Sequence, residues 1–428
     1  FDSYIRSIRW ASDRIEENGI LAFITGNGFL DSAFADGMRK SLTNEFSQIY
    51  IIDLKGNIRK SMLNKGDKTE GENIFGTGSM TGISINIFIK KNNSSINTIK
   101  YYNLGDNLSK KQKLQKIVHI NSIENLLKNN EFKDLKIDKY GDWLKHRLPE
   151  FEKFIKIGDR QDKKTVFNVY SQAVLTSRDA WCINFSKKKL SSNIKNLINF
   201  YNQELEIFQK KYANKDKKTQ DKIFNSLSKD SKKISWSRSL KKQLLNNNKI
   251  KFDSSKIIEC NYRPFTKSYL YFCKNLNEET YHMPKIFNNN IEKNKIIMVK
   301  NRWSSGQIAF MTDKLPLYSP DGGEQCFPLF YENQNSKLGG LFEDDSDSNE
   351  LNISHGVSDF IFSKFKEKYL NKKISKDDIF YYIYALLHSQ DYLKKYEINL
   401  SKDLPNIPIL KKHEDFKLYS NSGRQLAK

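Results

Sequence analysis

The sequence predicts two domains of the classes α/β and α+β: the second half of a doubly wound α/β domain, then a mixed α/β domain. The 428 residues exceed what one hydrophobic core usually supports. Residues 1–104 alternate helical and strand-like patterns and end with two consecutive strands. Later residues give long helical patterns and then many short strand-like runs. We therefore expect one domain at 1–148 and another at 149–428.

The first domain begins with a predicted amphipathic helix over residues 1–18, because apolar side chains recur at helical spacing before a helix-stopping Asn-Gly pair. A second helix is predicted at about 32–45. The strand-like runs are ILAFIT (20–25), IYIIDL (49–54), GISINIFIKK (82–91) and TIKYYNL (98–104). We expect the first of these strands to be buried and to lead into a glycine loop, and the last two to form an antiparallel pair. The opening strands of such a domain are missing, so we expect the chain to be a fragment.

The second domain begins with a strand-like run and continues through helix, strands and helix. An acidic loop is predicted before the last helix, whose acidic start and basic end match the helix dipole. No stop signal follows this helix, so we expect the domain to be truncated at its C-terminus. The segments are a strand-like run at 166–181, helix at 190–245, strands at 256–332, the loop at 343–350 and a helix at 377–396.

The charge balance favours a polyanionic partner. The chain holds 72 Lys and Arg against 50 Asp and Glu, a net charge of +22. Residues 1–150 carry 23 basic and 18 acidic side chains, which leaves 49 and 32 for the remainder, so the excess is C-terminal. Residues 210–256 alone have 15 against 4 and form either a DNA-contacting arm or a solvated insertion. A coding bias toward A and T would also enrich lysine without any nucleic acid.

Several classes of protein are disfavoured by what the sequence lacks. The four cysteines are scattered and the six histidines have no zinc-ligand spacing, so no disulfide or metal site is expected. No apolar run approaches the ~20 residues of a membrane span, which predicts a cytoplasmic protein. No Gly-Lys dipeptide or GxGxxG loop is present, and no two prolines are adjacent, which excludes an NPPY loop.

Long strings of the chain resemble the type ISP restriction-modification enzymes, in the same order along the sequence. They cover nearly all of the chain, which makes the resemblance far more specific than a short motif. The strings are RWASDRIEENGILAFITGNGFLDSAFADGMRKSL (9–42), IYIIDLKGNIRK (49–60), NIFGTGSMTGISINIFIKK (73–91), YSQAVLTSRDAWCINFS (170–186), NYRPFTKSYLYF (261–272), QCFPLFY (325–331) and DIFYYIYALLHSQDYLKKYEINLSKDLPNIP (378–408).

The resemblance implies that residues 1–148 are the C-terminal part of a Rossmann-like adenine-N6 DNA methyltransferase domain, and that 149–428 form a target-recognition domain. It implies S-adenosylmethionine as cofactor and double-stranded DNA as partner. The cofactor-glycine and NPPY motifs, and the nuclease and helicase modules, would then lie upstream, so this chain holds no catalytic residue and is inactive alone. The alternatives are a stand-alone DNA-binding specificity module and a basic RNA-associated protein.

Three residues of the first domain are candidates for a pocket that holds an extruded base. Methylation of adenine N6 requires the base to leave the duplex, and aromatic side chains beside strand ends suit stacking on it. Phe75 lies where the wider amino-methyltransferase class places such an aromatic, with plain core packing as the alternative. Asn27 and Phe29 follow the first strand and would contact base or cofactor, unless they only shape the glycine loop.

Five residues of the second domain are candidates for DNA contact. Arg178 suits guanine and Asp179 suits cytosine, although a buried Arg-Asp pair within a turn is the rival interpretation. Arg302 and Trp303 lie between glycine- and serine-rich turns, where groove-entering loops are common. Arg263 would bind phosphate or serve the fold.

Two other sets of aromatic residues are expected to pack in the protein core rather than to bind DNA. Beside Arg263, the sequence predicts Tyr262 and Phe265 to be core residues. The aromatic helix near the end, with Tyr381, Tyr384 and His388, is expected to pack against the second domain.

Overall fold

The structure is a computed structural model. It describes residues 2–63, 69–92, 97–212, 227–288, 291, 293–303, 306–318, 323–333, 353–370 and 372–428. The predicted acidic loop at 343–350, residues 213–226 of the basic segment, and residues 304–305 beside Trp303 lie outside these ranges.

Two compact units divide the chain, unit 1 at Phe1–Pro149 and unit 2 at Glu150–Lys428. The predicted domain boundary, between residues 148 and 149, lies beside this division.

Unit 1 alternates helices with the strands of one mixed sheet. Its helices are α1 (Ser3–Ser12), α2 (Asp36–Glu45), α3 (Ile58–Leu63), α4 (Lys110–Ile120) and α5 (Ile123–Lys128). Its strands are β1 (Gly19–Gly26), β2 (Gln48–Lys55), β3 (Ile83–Lys90), β4 (Thr98–Asn103) and β5 (Lys133–Asp134). The four predicted strands and the first two helices are confirmed, with ends shifted by a few residues.

The sheet of unit 1 has the order β1-β3-β2-β4-β5. Strand β3 is antiparallel to both of its neighbours, with Gly26 of β1 opposite Ile83 and Ile51 of β2 opposite Asn86. Strands β2 and β4 are parallel, with Ile51 opposite Tyr101. The end of β1 and the start of β3 therefore lie next to each other, at one end of the strands. The antiparallel pair predicted for the last two strands, β3 and β4, was wrong, because β2 lies between them in the sheet.

Strand β1 is less buried than its sequence predicts. Ile20 is 67% exposed and Ile24 is 61% exposed, so one face of the strand is open. The continuous apolar run predicted burial on both faces, and this was wrong, because the alternate side chains Ile20, Ala22 and Ile24 of β1 are exposed. Its other face packs on the unit 1 core, through Leu21 and Phe23.

Unit 2 is built from short strands and from helices on either side of them in sequence. Its helices are α6 (Asp179–Cys182), α7 (Lys187–Tyr212), α8 (Arg238–Leu245), α9 (Met283–Ile286), α10 (Asp359–Lys368), α11 (Lys376–Leu386), α12 (Gln390–Lys395), α13 (Glu397–Leu400) and α14 (His413–Leu426).

The strands of unit 2 form several small sheets. They are β6 (Ile155–Lys156), β7 (Ser171–Gln172), β8 (Ile183–Asn184), β9 (Ile257–Arg263), β10 (Thr266–Tyr271), β11 (Ile296–Val299), β12 (Ala309–Thr312), β13 (Leu315–Pro316), β14 (Gln325–Pro328), β15 (Phe330–Glu332), β16 (Ile353–His355) and β17 (Asn406–Ile407). Two sheets have four strands, β13-β9-β10-β8 and β12-β11-β14-β7, and two pairs are β15-β16 and β17-β6. The predicted strand-rich region at 256–332 is confirmed.

Two hydrophobic clusters stabilise unit 2. Helix α7 buries Leu190, Ile194, Leu197 and Tyr201 in the first, which confirms the helical stripe predicted there. Helices α11 and α14 pack in the second, around Phe416.

Three elements of unit 2 differ from their prediction. The helix predicted at 190–245 is not continuous, because residues 227–237 before α8 form turns and irregular structure. Only Ser171–Gln172 of the strand-like run at 166–181 forms a strand, and Asp179–Cys182 turns into helix. The helix predicted at 377–396 is divided, because Ser389 caps a new helix by accepting a hydrogen bond from the backbone N–H of Tyr392. Its tyrosines are buried as predicted, Tyr381 and Tyr384 each being 7% exposed.

Candidate nucleic-acid interface

A buried polar network lies at the end of the unit 1 sheet where β1 ends and β3 begins. Asn27 donates from Nδ2 to Asp53 Oδ1 at 2.9 Å, and the Tyr101 hydroxyl donates to Asp53 Oδ2 at 2.8 Å. The backbone N–H of Asn27 donates to the Gly82 carbonyl at 2.8 Å. A Cβ on Gly82 would lie 2.5 Å from Asn27 Oδ1, so the tight approach of these two loops requires glycine. Asn27 therefore joins the loop after β1 to the loop before β3.

The loop before β3 carries Phe75 at the same end of the sheet. Phe75 is 62% exposed, although it is a large apolar side chain. The buried Asn73 side chain donates to the carbonyls of Gly56 and Thr81, at 3.0 and 2.7 Å, and accepts from the backbone N–H of Phe75 at 2.9 Å. Asn73 thus fixes the backbone of Phe75, while the ring of Phe75 stays available to a partner.

Phe29 occupies a different environment from Phe75. Its ring is fully buried and meets the rings of Tyr4 and Trp143 at centroid distances of 6.3 and 6.0 Å. The buried Arg39 donates to the Phe29 carbonyl at 2.8 Å and to Asp142 Oδ1 at 2.9 Å. These contacts favour the fold-shaping role for Phe29, and we assign it no base contact.

Arg178 is 3% exposed and acts as an internal brace of unit 2. Its guanidinium donates to the carbonyls of Ser235 and Leu276 and to the hydroxyl of Ser237. Three chain segments that are distant in sequence therefore meet on one cation. These partners replace the predicted Arg-Asp pair, because Asp179 instead accepts a hydrogen bond from Thr176. Asp179 itself is exposed at the first turn of α6.

The NYRPF segment is a hairpin whose tip is exposed. Arg263 of β9 pairs with Thr266 of β10 across a turn formed by Pro264 and Phe265. The guanidinium of Arg263 lies 4.2 Å over the Tyr262 ring and donates to the Tyr262 carbonyl at 2.8 Å. Phe265 is 91% exposed, so its predicted place in the core was wrong. The turn directs it away from the sheet.

The loop after β11 carries Arg302 and Trp303 in different environments. Arg302 is exposed and adopts a positive φ of 58°. Trp303 is partly buried against the core, and its indole N–H donates to the Gly306 carbonyl at 2.9 Å. Its backbone N–H also donates to the Leu400 carbonyl at 2.9 Å. Trp303 therefore anchors the loop, and Arg302 is the side chain that faces solvent.

A family model of the Type ISP C-terminal specificity domain matches residues 165–428, more than half of the chain. The chain belongs to the Type ISP family. The match spans almost all of unit 2 and includes Arg178, Arg263 and Arg302.

Solved structures of two Type ISP enzymes and of a DrdV-DNA complex are similar to this chain over 99–100% of its length. The ATP-dependent Type ISP restriction-modification enzyme LlaBIII, bound to DNA, is 33% identical with a TM-score of 0.79 over 100% of this chain. A nuclease-deletion mutant of the Type ISP enzyme LlaGI, in complex with a DNA substrate mimic, is 32% identical with a TM-score of 0.77 over 100% of it. A DrdV-DNA complex is 26% identical with a TM-score of 0.77 over 99%. This chain covers 26%, 36% and 39% of those chains, respectively. No curated protein matches it.

This Type ISP chain has further exposed groups that the sequence analysis missed. Phe185 is 65% exposed and its ring lies 5.9 Å from that of Tyr262. Lys187, at the start of α7, places Nζ 4.9 Å over the Tyr269 ring, and Lys267 of β10 is exposed. We call the side chains of Phe185, Lys187, Tyr262, Arg263, Phe265 and Lys267 the basic hairpin surface. The pairing of β8 with β10 brings Phe185 and Lys187 beside the β9–β10 hairpin, which spacing along the sequence does not reveal.

Helices in the described ranges are all too short or too polar to cross a bilayer. Within the same ranges, His, Cys, Asp and Glu side chains form no cluster of three or more suited to a metal ion.

Proposed function

We propose that unit 2 selects a specific sequence of double-stranded DNA, and that the intact enzyme methylates adenine N6 in that sequence. The proposal is carried by the similarity of the entire chain to Type ISP enzymes that were solved with DNA or a DNA mimic. The net charge of +22 and the exposed cations of the basic hairpin surface support a polyanionic partner. Nuclease and helicase modules upstream in the same polypeptide belong to the same proposal.

The sheet of unit 1 supports a role as the second half of a methyltransferase domain. Its strands alternate with helices along the sequence, and β3 runs antiparallel between β1 and β2. The exposed face of β1, with Ile20 and Ile24, is suited to being covered by another part of the protein. We propose that an upstream part of the enzyme covers it.

S-adenosylmethionine is the methyl donor that the family implies, but the described residues do not fit a donor pocket by themselves. At the end of the sheet, Asp53 accepts hydrogen bonds from Asn27 and Tyr101, so these three side chains bind one another rather than face a ligand. Burial and the neighbouring Asp53 carboxylate raise the pKa of the Tyr101 hydroxyl, which therefore stays a donor to that carboxylate. We propose that the cofactor is bound upstream.

Phe75 is the residue of unit 1 that we propose to stack on the extruded adenine. Its exposed ring and its fixed backbone give it the two properties that stacking requires: an accessible face and little mobility to lose. Asn27 supports it indirectly, because it ties the adjacent loop to the start of β3.

Sequence selection is tested with this chain and a pool of randomised 40-base-pair duplexes. We expect one sequence to be enriched over repeated rounds of binding, and the logarithm of its affinity to fall with the logarithm of salt concentration by about 0.9 per phosphate contacted. Equal retention of all duplexes, or a preference for RNA, would contradict the proposal.

Base stacking is tested in an intact enzyme that contains this chain, with 2-aminopurine at the target adenine. Phe75→Ala should remove about 1–3 kcal/mol of stacking and weaken the fluorescence rise of 2-aminopurine. Val118→Ala is the matched control, because Val118 is an exposed apolar residue of the same unit on α4. If both variants keep the full signal, Phe75 has no stacking role.

A further inference from the structure

Phe265 combines two features that are unfavourable in a folded protein. It exposes 91% of a large apolar side chain, and its backbone has a φ of 65°, in the left-handed region that favours glycine. In the hairpin it follows Pro264 in a two-residue turn, at a position that glycine or asparagine usually occupies in turns with positive φ.

The fold gives little in return for this arrangement. The ring of Phe265 lies at a centroid distance of 6.2 Å from that of Phe310, in an edge contact. A ring that remains 91% exposed gains little from such a contact. Strained and exposed residues of this kind concentrate at functional sites, where a partner compensates for them.

The surroundings of Phe265 are cationic and aromatic. Residues 183–189 and 261–269 together contain five Lys or Arg and no Asp or Glu. The nearby carboxylate of Glu259 is paired with Lys314, at 3.4 Å. Arg263 and Lys187 each lie over a tyrosine ring, at 4.2 and 4.9 Å, so aromatic faces support the cations.

Nucleic acid is the partner that matches both properties. Phosphates complement the cations, while bases offer flat apolar faces on which an aromatic ring stacks. Proteins that bend duplex DNA insert apolar side chains between base steps, and phenylalanine is one of the residues they use. A two-stranded hairpin is also narrow enough to enter a groove of the duplex.

We propose that Phe265 is a wedge that stacks between bases of duplex DNA, while Arg263, Lys187 and Lys267 contact the flanking phosphates. This inference rests on the proposed DNA recognition by unit 2 and assigns its base-stacking element. It places the contact on the β9–β10 hairpin rather than on the turn that contains Arg178.

The experiment uses this chain and the 40-base-pair duplex enriched from the randomised pool, labelled with fluorescein for anisotropy. Phe265→Ala and Phe265→Gly should weaken binding by about 5- to 150-fold, the effect expected for loss of one stacked base. The factor should be the same at every salt concentration, because stacking releases no counterions. Leu418→Ala is the control, since Leu418 is an exposed apolar residue of unit 2 on α14.

Two further measurements separate a wedge from a structural residue. Phe265→Gly relieves the left-handed backbone, so its unfolding equilibrium constant in urea should fall by about five-fold or more, even though DNA binding weakens. Phe265→Trp should bind the duplex nearly as well as the original chain, and its added fluorescence should become shielded from acrylamide when DNA is present.

The outcomes distinguish the wedge from the proposed function. If the original chain selects a duplex but Phe265→Ala and Phe265→Gly bind it equally well, the wedge is wrong and DNA recognition stands. The wedge is also overturned if Phe265→Gly unfolds more easily, or if the added fluorescence of Phe265→Trp stays accessible to acrylamide on DNA. If the original chain enriches no duplex, both proposals fail.

Discussion

Two turns of unit 2 place an arginine beside a residue with left-handed backbone, yet they use it differently. Ser177, with a φ of 53°, precedes Arg178, and Phe265, with a φ of 65°, follows Arg263 two residues later. Arg178 is enclosed and donates to two carbonyls and a hydroxyl, whereas Arg263 is partly exposed on a tyrosine ring. An arginine in a turn becomes a brace where other segments supply acceptors around it. It remains available to a partner where they do not.

The largest effect is expected from removal of the brace. Arg178→Ala should lower the free energy of unfolding by about 2–4 kcal/mol, because it leaves the buried carbonyl of Leu276 and the half-buried carbonyl of Ser235 without their donor. Unfolding in urea, followed by circular dichroism, measures this. Arg263→Ala is the matched control and should cost less than about 1 kcal/mol.

The result for Arg178 also decides its part in recognition. A stable Arg178→Ala variant that loses preference at one base pair of the enriched duplex would make Arg178 a direct reader of DNA. An equal loss of stability and of binding, with unchanged sequence preference in the folded fraction, agrees with the brace.

A smaller effect is expected from a partly exposed brace near the C-terminus. Asp378 of α11 accepts hydrogen bonds from Lys417 at 2.9 Å and Arg424 at 3.1 Å, both on α14. Burial alone would raise the pKa of this carboxyl, but hydrogen bonds from Lys417, Ser375 and Arg424 lower it to about 2. Asp378→Asn should therefore lower the free energy of unfolding by about 1 kcal/mol at pH 7, less than a buried pair because both cations are partly exposed.

The pH dependence gives this prediction its sign. In the unfolded chain an aspartate has a pKa of about 3.9, so the carboxylate stabilises the fold fully above that pH. Its contribution is lost as the pH falls from about 4 to about 2. The difference between Asp378→Asn and the original chain should shrink over the same range. A difference that is constant with pH would mean that the asparagine disturbs packing rather than charge.

Much of the fold could be predicted from local pattern. The strands of unit 1 carry β-branched runs, and α7 carries a buried stripe with helical spacing, so each was located from the sequence. The local pattern failed where tertiary structure determines exposure or strand pairing. Ile20 and Ile24 look like core residues, but the face of β1 that carries them is exposed. The run at 166–181 is apolar enough for a strand, but it forms one two-residue strand and isolated bridges at Phe167, Val174 and Leu175.

Less of the candidate site could be predicted, because exposure is not written in residue type. Phe29 follows a glycine-rich loop after β1 and Phe75 precedes one before β3, but Phe29 packs on Trp143 whereas Phe75 is exposed. Phe265 looked like core beside Tyr262, since no local signal shows that a hairpin turn directs its ring outward. Lys187 joins the same surface through the pairing of β8 with β10, a contact between residues about eighty positions apart.

The smallest effect on stability, and the sharpest on salt dependence, is expected from Arg263→Ala. Its guanidinium donates to the carbonyl of its own neighbour Tyr262, so the fold loses little without it. If Arg263 contacts one phosphate, the slope of log affinity against log salt should fall by about 0.9 for the enriched duplex, measured by anisotropy. Lys366→Ala is the matched control, since Lys366 also lies over a ring, that of Phe362 at 4.5 Å, but belongs to α10. Equal slopes for both variants would leave Arg263 without a phosphate, whereas a change for Arg263 alone would place the duplex on the hairpin.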